Sequence, residues 1–159
     1  MSETSVLDAK FLQFAIEAAR EAVKLGNKPF GAVIVKDGQI IATGRNQENY
    51  PSPDATNHAE MEAIRQACRE LNARFLTGCT LYASTYPCPM CMGACLFARI
   101  DRLVYTCTSE DADQYGFDDK KYYQCLQKKE HPMQIDQCPL SDEQAKLPFE
   151  EFSRLNEAQ

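Results

Sequence analysis

The sequence predicts an α/β fold: a mixed five-stranded sheet with helices on both faces, in a single domain spanning residues 1–159. Three observations carry that expectation. Two β-branched runs, 31–36 and 39–43, flank Asp37-Gly38, a strong signal for a tight hairpin turn. After the hairpin, strand and helix patterns alternate, which sets parallel strands beside the antiparallel pair. The first helical stretch is apolar around most of its circumference, as suits a helix packed on a sheet.

That helix covers 8–25, where Phe11, Phe14, Ala15, Ala18, Ala22 and Leu25 follow helical spacing. Leu12, Ile16, Ala19 and Val23 add a second stripe, and Gly26 ends the helix. The hairpin strands follow, and then 44–57, with two prolines, forms a loop. Residues 58–71 are the next helix, with Met61, Ile64, Cys68 and Leu71 on one face. A strand at 79–84, a helix at 87–98, a strand at 102–106 and a helix at 122–129 come next. Residues 133–137 are a fifth strand or an extended edge. A helix at 141–156 closes the order, with Ser141 as N-cap and Glu143 and Gln144 behind it.

The chain has 159 residues, which suits one domain with a sizeable core. Its 44% apolar and 25% charged residues are an ordinary globular balance. No apolar stretch approaches the length of a membrane span. Residues 1–10 show no basic region followed by an apolar run, so no secretory signal is expected. Eight cysteines without such a signal point to the reducing cytoplasm rather than to a disulfide framework. Cys68, Cys79, Cys107, Cys125 and Cys138 then read as small buried hydrophobes or inert thiols. The net charge of −6 weighs against a nucleic acid partner, since phosphate contacts leave a basic footprint. Lys120-Lys121 and Lys128-Lys129 read as solvated helix charges.

The chemistry lies in His58-Ala59-Glu60 and Pro87-Cys88-Pro89-Met90-Cys91. Both fall at expected helix starts, where unpaired N–H groups and the macrodipole favour negative charge. Such a setting stabilises the thiolates of Cys88 and Cys91, the form that binds metal. Their i, i+3 spacing puts both sulfurs on one face, and Pro89 fits the first turn. At the start of their helix, His58 and Glu60 can both flank a zinc ion beyond the helix end. Three protein ligands leave a fourth position for water, which zinc brings to a pKa of about 7. Glu60 is then placed to carry protons while hydroxide attacks an amino-bearing ring carbon and ammonia leaves. Cys95, one turn after Cys91, leaves a closed structural Cys3His site open, although such a site gives Glu60 no task. His131 has no partner motif and reads as a surface or loop residue.

His-x-Glu followed by Pro-Cys-x-x-Cys resembles the signature of zinc nucleobase deaminases. The chain is similar to the cytidine deaminase superfamily over about 11–152, and within it looks most like bacterial guanine deaminases. The closer likeness rests on Pro29-Phe30-Gly31-Ala32-Val33, Gly44-Arg45-Asn46, Cys95-Leu96-Phe97-Ala98-Arg99 and Ala112-Asp113-Gln114-Tyr115-Gly116-Phe117-Asp118-Asp119.

The resemblance implies a three-layer cytidine-deaminase-like fold, a homodimer, and hydrolytic deamination of the purine base guanine to xanthine and ammonia. It implies Zn2+ held by His58, Cys88 and Cys91, with Glu60 as proton shuttle. It also implies that Asn46 hydrogen-bonds the base, that Phe30 and Phe97 line the purine ring, and that Asp119 accepts from guanine N–H groups. Taken alone, Asn46 also reads as a loop residue, Phe30 as core and Asp119 as a helix N-terminal charge. Phe97 stands where the family has a larger aromatic ring, and the tail 156–159 lacks the aromatic with which family members often close the pocket. The rival readings are a deaminase of guanosine, cytosine or an aminotriazine, a tRNA adenosine deaminase, and a silent zinc-binding interaction protein. Glu60 argues against the last.

Overall fold

An alanine stripe lets the first helix lie close to the sheet. Helix α1 (Glu3–Lys24) buries Phe11, Ala15, Ala18, Ala19 and Ala22. Strand β1 (Gly31–Lys36) approaches it so closely that a Cβ at Gly31 would collide with the Ala15 carbonyl oxygen. The chain then turns through Asp37, with φ 50°, and Gly38, with φ 75°, into β2 (Gln39–Arg45). Positive φ at both central residues is the turn that matches strand twist, so the expected hairpin is present. Its register runs Lys36↔Gln39 and Val35↔Ile40, then shifts by one residue at a bulge between Ile34 and Val35.

The computed structural model describes residues 3–129, 132–136, 138 and 142–157. After β2 come α2 (Ala59–Glu70), β3 (Cys79–Thr85), α3 (Pro89–Phe97), β4 (Arg102–Cys107), α4 (Ser109–Asp113) and α5 (Lys120–Lys128). These elements form one compact unit, Met1–Lys128, and a second unit, Lys129–Gln159, carries α6 (Asp142–Glu157). The sheet order is β2-β1-β3-β4, with β1 antiparallel to β2 and β3, and β4 parallel to β3. Strand alternation divides the core into two layers. Val33, Val35 and Tyr82 pack with Phe11 on the α1 face. Ala32, Ile34, Leu81 and Ala83 pack with Ala59, Ala63, Ala67, Cys95 and Ala98 of the α2–α3 side. The result is a mixed sheet between two helical layers.

Three points differ from expectation. Among the described residues the sheet has four strands, not five. Residues 133–136 are irregular, with Met133 and Ile135 exposed, and Gln134 Nε2 donates to Asp136 Oδ2 at 2.6 Å. The apolar–polar alternation there buries no face, and without a buried face nothing fixes a strand register; Gln137 lies outside the described residues. Helix α4 was not expected, because five residues carry no readable period. Its signal is the Thr108-x-x-Asp111 capping box, which is formed in both directions. Cys107 and Cys138 are exposed, while Cys79 is buried and Cys68 and Cys125 are intermediate. The expected last helix is present as α6, with Pro148 inside it, and Ser141 and His131 lie outside the described residues. No described helix is long and apolar enough to cross a membrane.

Candidate active site

Two helix N-caps converge in this fold, and neither caps its own helix. His58 is extended, with φ −74° and ψ 158°, and precedes α2 without a side-chain cap bond. Cys88 is extended, with φ −66° and ψ 168°, and precedes α3 in the same way, with Pro89 in the first turn. Their carbonyls start the two helices, accepting from Glu62 N–H at 3.0 Å and Met92 N–H at 2.9 Å. Their side chains are therefore free for each other. His58 Nδ1 lies 3.5 Å from Cys88 Sγ and 3.5 Å from Cys91 Sγ. All three donor atoms lie within 4.8 Å of one another, and this is the one such cluster among the described residues.

The spacing suits zinc. Zn–N of about 2.0–2.1 Å and Zn–S of about 2.3 Å, at a tetrahedral angle, put nitrogen and sulfur about 3.6 Å apart. Among the described residues no fourth donor joins the three. Cys95 is not in the cluster, and burial pushes its thiol up to about 12, the state of an inert core cysteine. That removes the closed Cys3His alternative.

The Cys88 thiol is drawn far below its ordinary value, first by the Cys91 side chain beside it, with the imidazole of His58 and the Cys91 N–H adding to this. Cys91, beside Cys88 and deeply buried, is pushed upward. The negative charge on Cys88 raises His58 against the opposing effect of burial. Glu60 is 7% exposed, interacts with Cys91, and is raised chiefly by burial, with Cys88 adding.

A cavity of about 260 Å³ opens beside His58. Lys28, Phe30, Glu48, Gly116, Phe117, Asp118, Asp119, Lys121 and Tyr122 complete its lining. Phe30 meets Phe117 edge to face, with ring centroids 5.0 Å apart. Asp119 is half-buried at the start of α5, its carbonyl accepting from Tyr122 and Tyr123, and burial raises its carboxyl. Asn46 is fully buried behind the lining, its Nδ2 donating to Glu48 Oε2 at 2.6 Å. Phe97 is not brought to the cavity and is 86% exposed. It follows Cys91 by six residues, about 240° around a helix, so the two cannot share a face. A larger hollow of about 450 Å³ on α6 is lined by one helix face and holds no metal-ligating cluster.

Three residues enter the site that sequence reasoning did not single out. Glu48 contacts Asn46, Lys28 and His58. Lys28 donates to Glu48 Oε1 at 2.9 Å. Tyr123 Oη donates to the Pro87 carbonyl at 2.8 Å, tying α5 to the cysteine loop. None belongs to a motif; the only hint was the nearness of Glu48 to Asn46.

Residues 5–107 match the family of the cytidine and deoxycytidylate deaminase zinc-binding region. The chain is 49% identical over 119 residues to guanine deaminase of Bacillus subtilis, covering 74% of this chain and 76% of that relative. It is 43% identical over 96 residues to the tRNA-specific adenosine deaminase of Aquifex aeolicus, covering 60% of this chain and 63% of that relative. The crystal structure of the Bacillus subtilis guanine deaminase superposes with a TM-score of 0.85 at 40% identity, covering 97% of this chain and 95% of that one.

Proposed function

We propose that this chain, which belongs to the cytidine and deoxycytidylate deaminase zinc-binding family, hydrolyses guanine to xanthine and ammonia. It is a zinc-dependent deaminase of the guanine deaminase type. One observation carries the reading: a zinc-spaced triangle of His58, Cys88 and Cys91 meets the buried carboxylate of Glu60.

In this reading His58 Nδ1 and the sulfurs of Cys88 and Cys91 hold the metal. Zinc, when bound, supplies Lewis acidity and a water acidic enough to be a nucleophile near neutral pH. Glu60 takes a proton from the attacking water, passes it to the adjacent ring nitrogen, and then carries the remaining proton of the new hydroxyl to the departing amine as that oxygen becomes the carbonyl. A carbon–oxygen bond forms, the carbon–nitrogen bond breaks, and the atoms of guanine and water leave as xanthine and ammonia. Asp119 accepts from the N–H donors on the guanine edge, and Phe30, braced by Phe117, lines the ring. Asn46 supports the base contact through the polar wall it shares with Glu48. The placing of Asp119, Phe30 and Glu48 around one cavity with His58 supports these roles.

The same reading takes the protein as a cytoplasmic homodimer. Eight free thiols suit a reducing compartment. Leu96 and Phe97, 73% and 86% exposed at the end of α3, are an apolar pair that a second copy would cover. The test is ammonia release by the zinc-loaded protein over bases, nucleosides, aminotriazines and tRNA. Guanine is expected to lead by about a hundredfold or more in kcat/KM. A preference for cytosine or for tRNA overturns the substrate assignment.

A further inference from the structure

His58 turns Nδ1 toward both sulfurs, so its other nitrogen must find a different partner. A ring nitrogen that gives its lone pair to a metal carries no proton, and the neutral imidazole then holds its proton on Nε2. His58 Nε2 faces Glu48 Oε2 at 3.6 Å. Histidines that bind metal almost always give this N–H to a carboxylate, a carbonyl or water, and the partner fixes the ring.

Glu48 is itself held in place. Its Oε2 accepts from Asn46 Nδ2 at 2.6 Å and its Oε1 from Lys28 Nζ at 2.9 Å. Asn46 is locked in turn, since its Oδ1 accepts from the N–H groups of Lys28, at 3.4 Å, and Glu48, at 3.2 Å. The Glu48 side chain is 11% exposed, so Lys28 matters: an unpaired carboxylate at that depth is costly. We propose that Glu48 is a positioning residue that sets the His58 ring and the Asn46 amide at the zinc site. This task rests on the deaminase reading above.

The test measures zinc affinity of the full-length protein by chelator competition, in Glu48→Gln and in Asn27→Ala. Glu48→Gln keeps the size but loses the negative charge that faces Nε2 at 3.6 Å. Asn27→Ala is the structural control. The Asn27 side chain anchors the same loop by accepting from Asn49 N–H at 2.9 Å and Tyr50 N–H at 3.0 Å, and it makes none of the hydrogen bonds to the Glu48 carboxylate described above. Zinc affinity is expected to fall tenfold or more in Glu48→Gln, within the roughly 10–100-fold typical of such partners, and by less in Asn27→Ala. The absorption bands of the cobalt(II)-loaded protein are expected to move in Glu48→Gln and to stay in Asn27→Ala. A smaller loss of affinity, an equal loss in Asn27→Ala, or an unmoved cobalt spectrum overturns the proposal. Glu48→Asp, which withdraws the oxygens by one methylene, takes the place of Glu48→Gln under the same criteria if that variant does not fold. These readouts need no substrate. A wild type that binds zinc and ignores guanine refutes the proposed activity and leaves the role of Glu48 testable.

Discussion

Glu60 combines burial with contact. The residue is 7% exposed, and its carboxyl interacts with the Cys91 thiol and is shifted upward mainly by desolvation. Glu60→Gln preserves size and polarity and removes the transferable proton. Zinc content is expected to stay at one per chain while ammonia release falls by about 10²–10⁴-fold. A rate above about a tenth of wild type would exclude Glu60 as the shuttle by that estimate. Asp119→Ala is expected to keep its zinc as well, and to lose about ten- to a hundredfold in kcat/KM for guanine, the effect of one missing partner to a charged group. Normal guanine turnover in that variant would remove Asp119 from base recognition. The metal ligands were readable in the sequence because each pair is local: His58 with Glu60, Cys88 with Cys91, both at helix starts. Glu48, Lys28 and Tyr123 were not readable. They reach the site through loop and α5 packing, and no spacing rule links them to His58 or Pro87.

At the scale of elements, close approach decides where the metal ligands sit. A Cβ at Gly44 would collide with the Ala59 carbonyl oxygen and crowd the Ala63 N–H, so β2 lies directly against the first turn of α2. His58 immediately precedes that turn. Gly44→Ala must therefore push α2 away from the sheet and carry His58 with it. Lower unfolding stability and weaker zinc binding are expected together, measured by denaturant unfolding and chelator competition. Gly93 in α3 is the contrast. An added Cβ there meets nothing within 4 Å, and the helix gains a better former. Gly93→Ala is expected to stabilise the protein by about 0.5–1 kcal/mol and to leave zinc binding unchanged. Equal effects of the two substitutions would contradict this account. The long elements were readable because burial imposes their period over many residues. The five residues of α4 impose none, and at 133–136 the apolar residues of the alternation, Met133 and Ile135, are exposed.

On the scale of the whole molecule, a polar cluster joins the first helix to the outer strand of the sheet. Asp8 of α1 receives both terminal nitrogens of Arg102 in β4, at 2.8 and 2.6 Å. The Tyr82 hydroxyl of β3 donates to the same carboxylate at 2.8 Å. These residues stand 74 to 94 positions apart, so the cluster exists only in the folded chain. Arg102, first, and then Tyr82 hold the Asp8 carboxyl below its usual range, although partial burial opposes them. A carboxyl whose folded pKa is depressed binds protons more readily in the unfolded chain. Its contribution to stability is therefore complete above the unfolded value of about 3.9 and is lost as pH falls through the folded value. Arg102 is half-exposed, with 46% of its side chain accessible, so solvent screening keeps the contribution modest and sensitive to salt. Asp8→Asn removes this titration and leaves the three-layer packing in place. The wild type should exceed Asp8→Asn in stability near neutral pH, and the gap should close between about pH 4 and the lower folded pKa. Denaturant unfolding of both proteins from pH 7 to pH 2.5 measures it. A gap that stays constant across that range, or widens in acid, would show that the Asp8–Arg102 pair does not tie α1 to the sheet electrostatically.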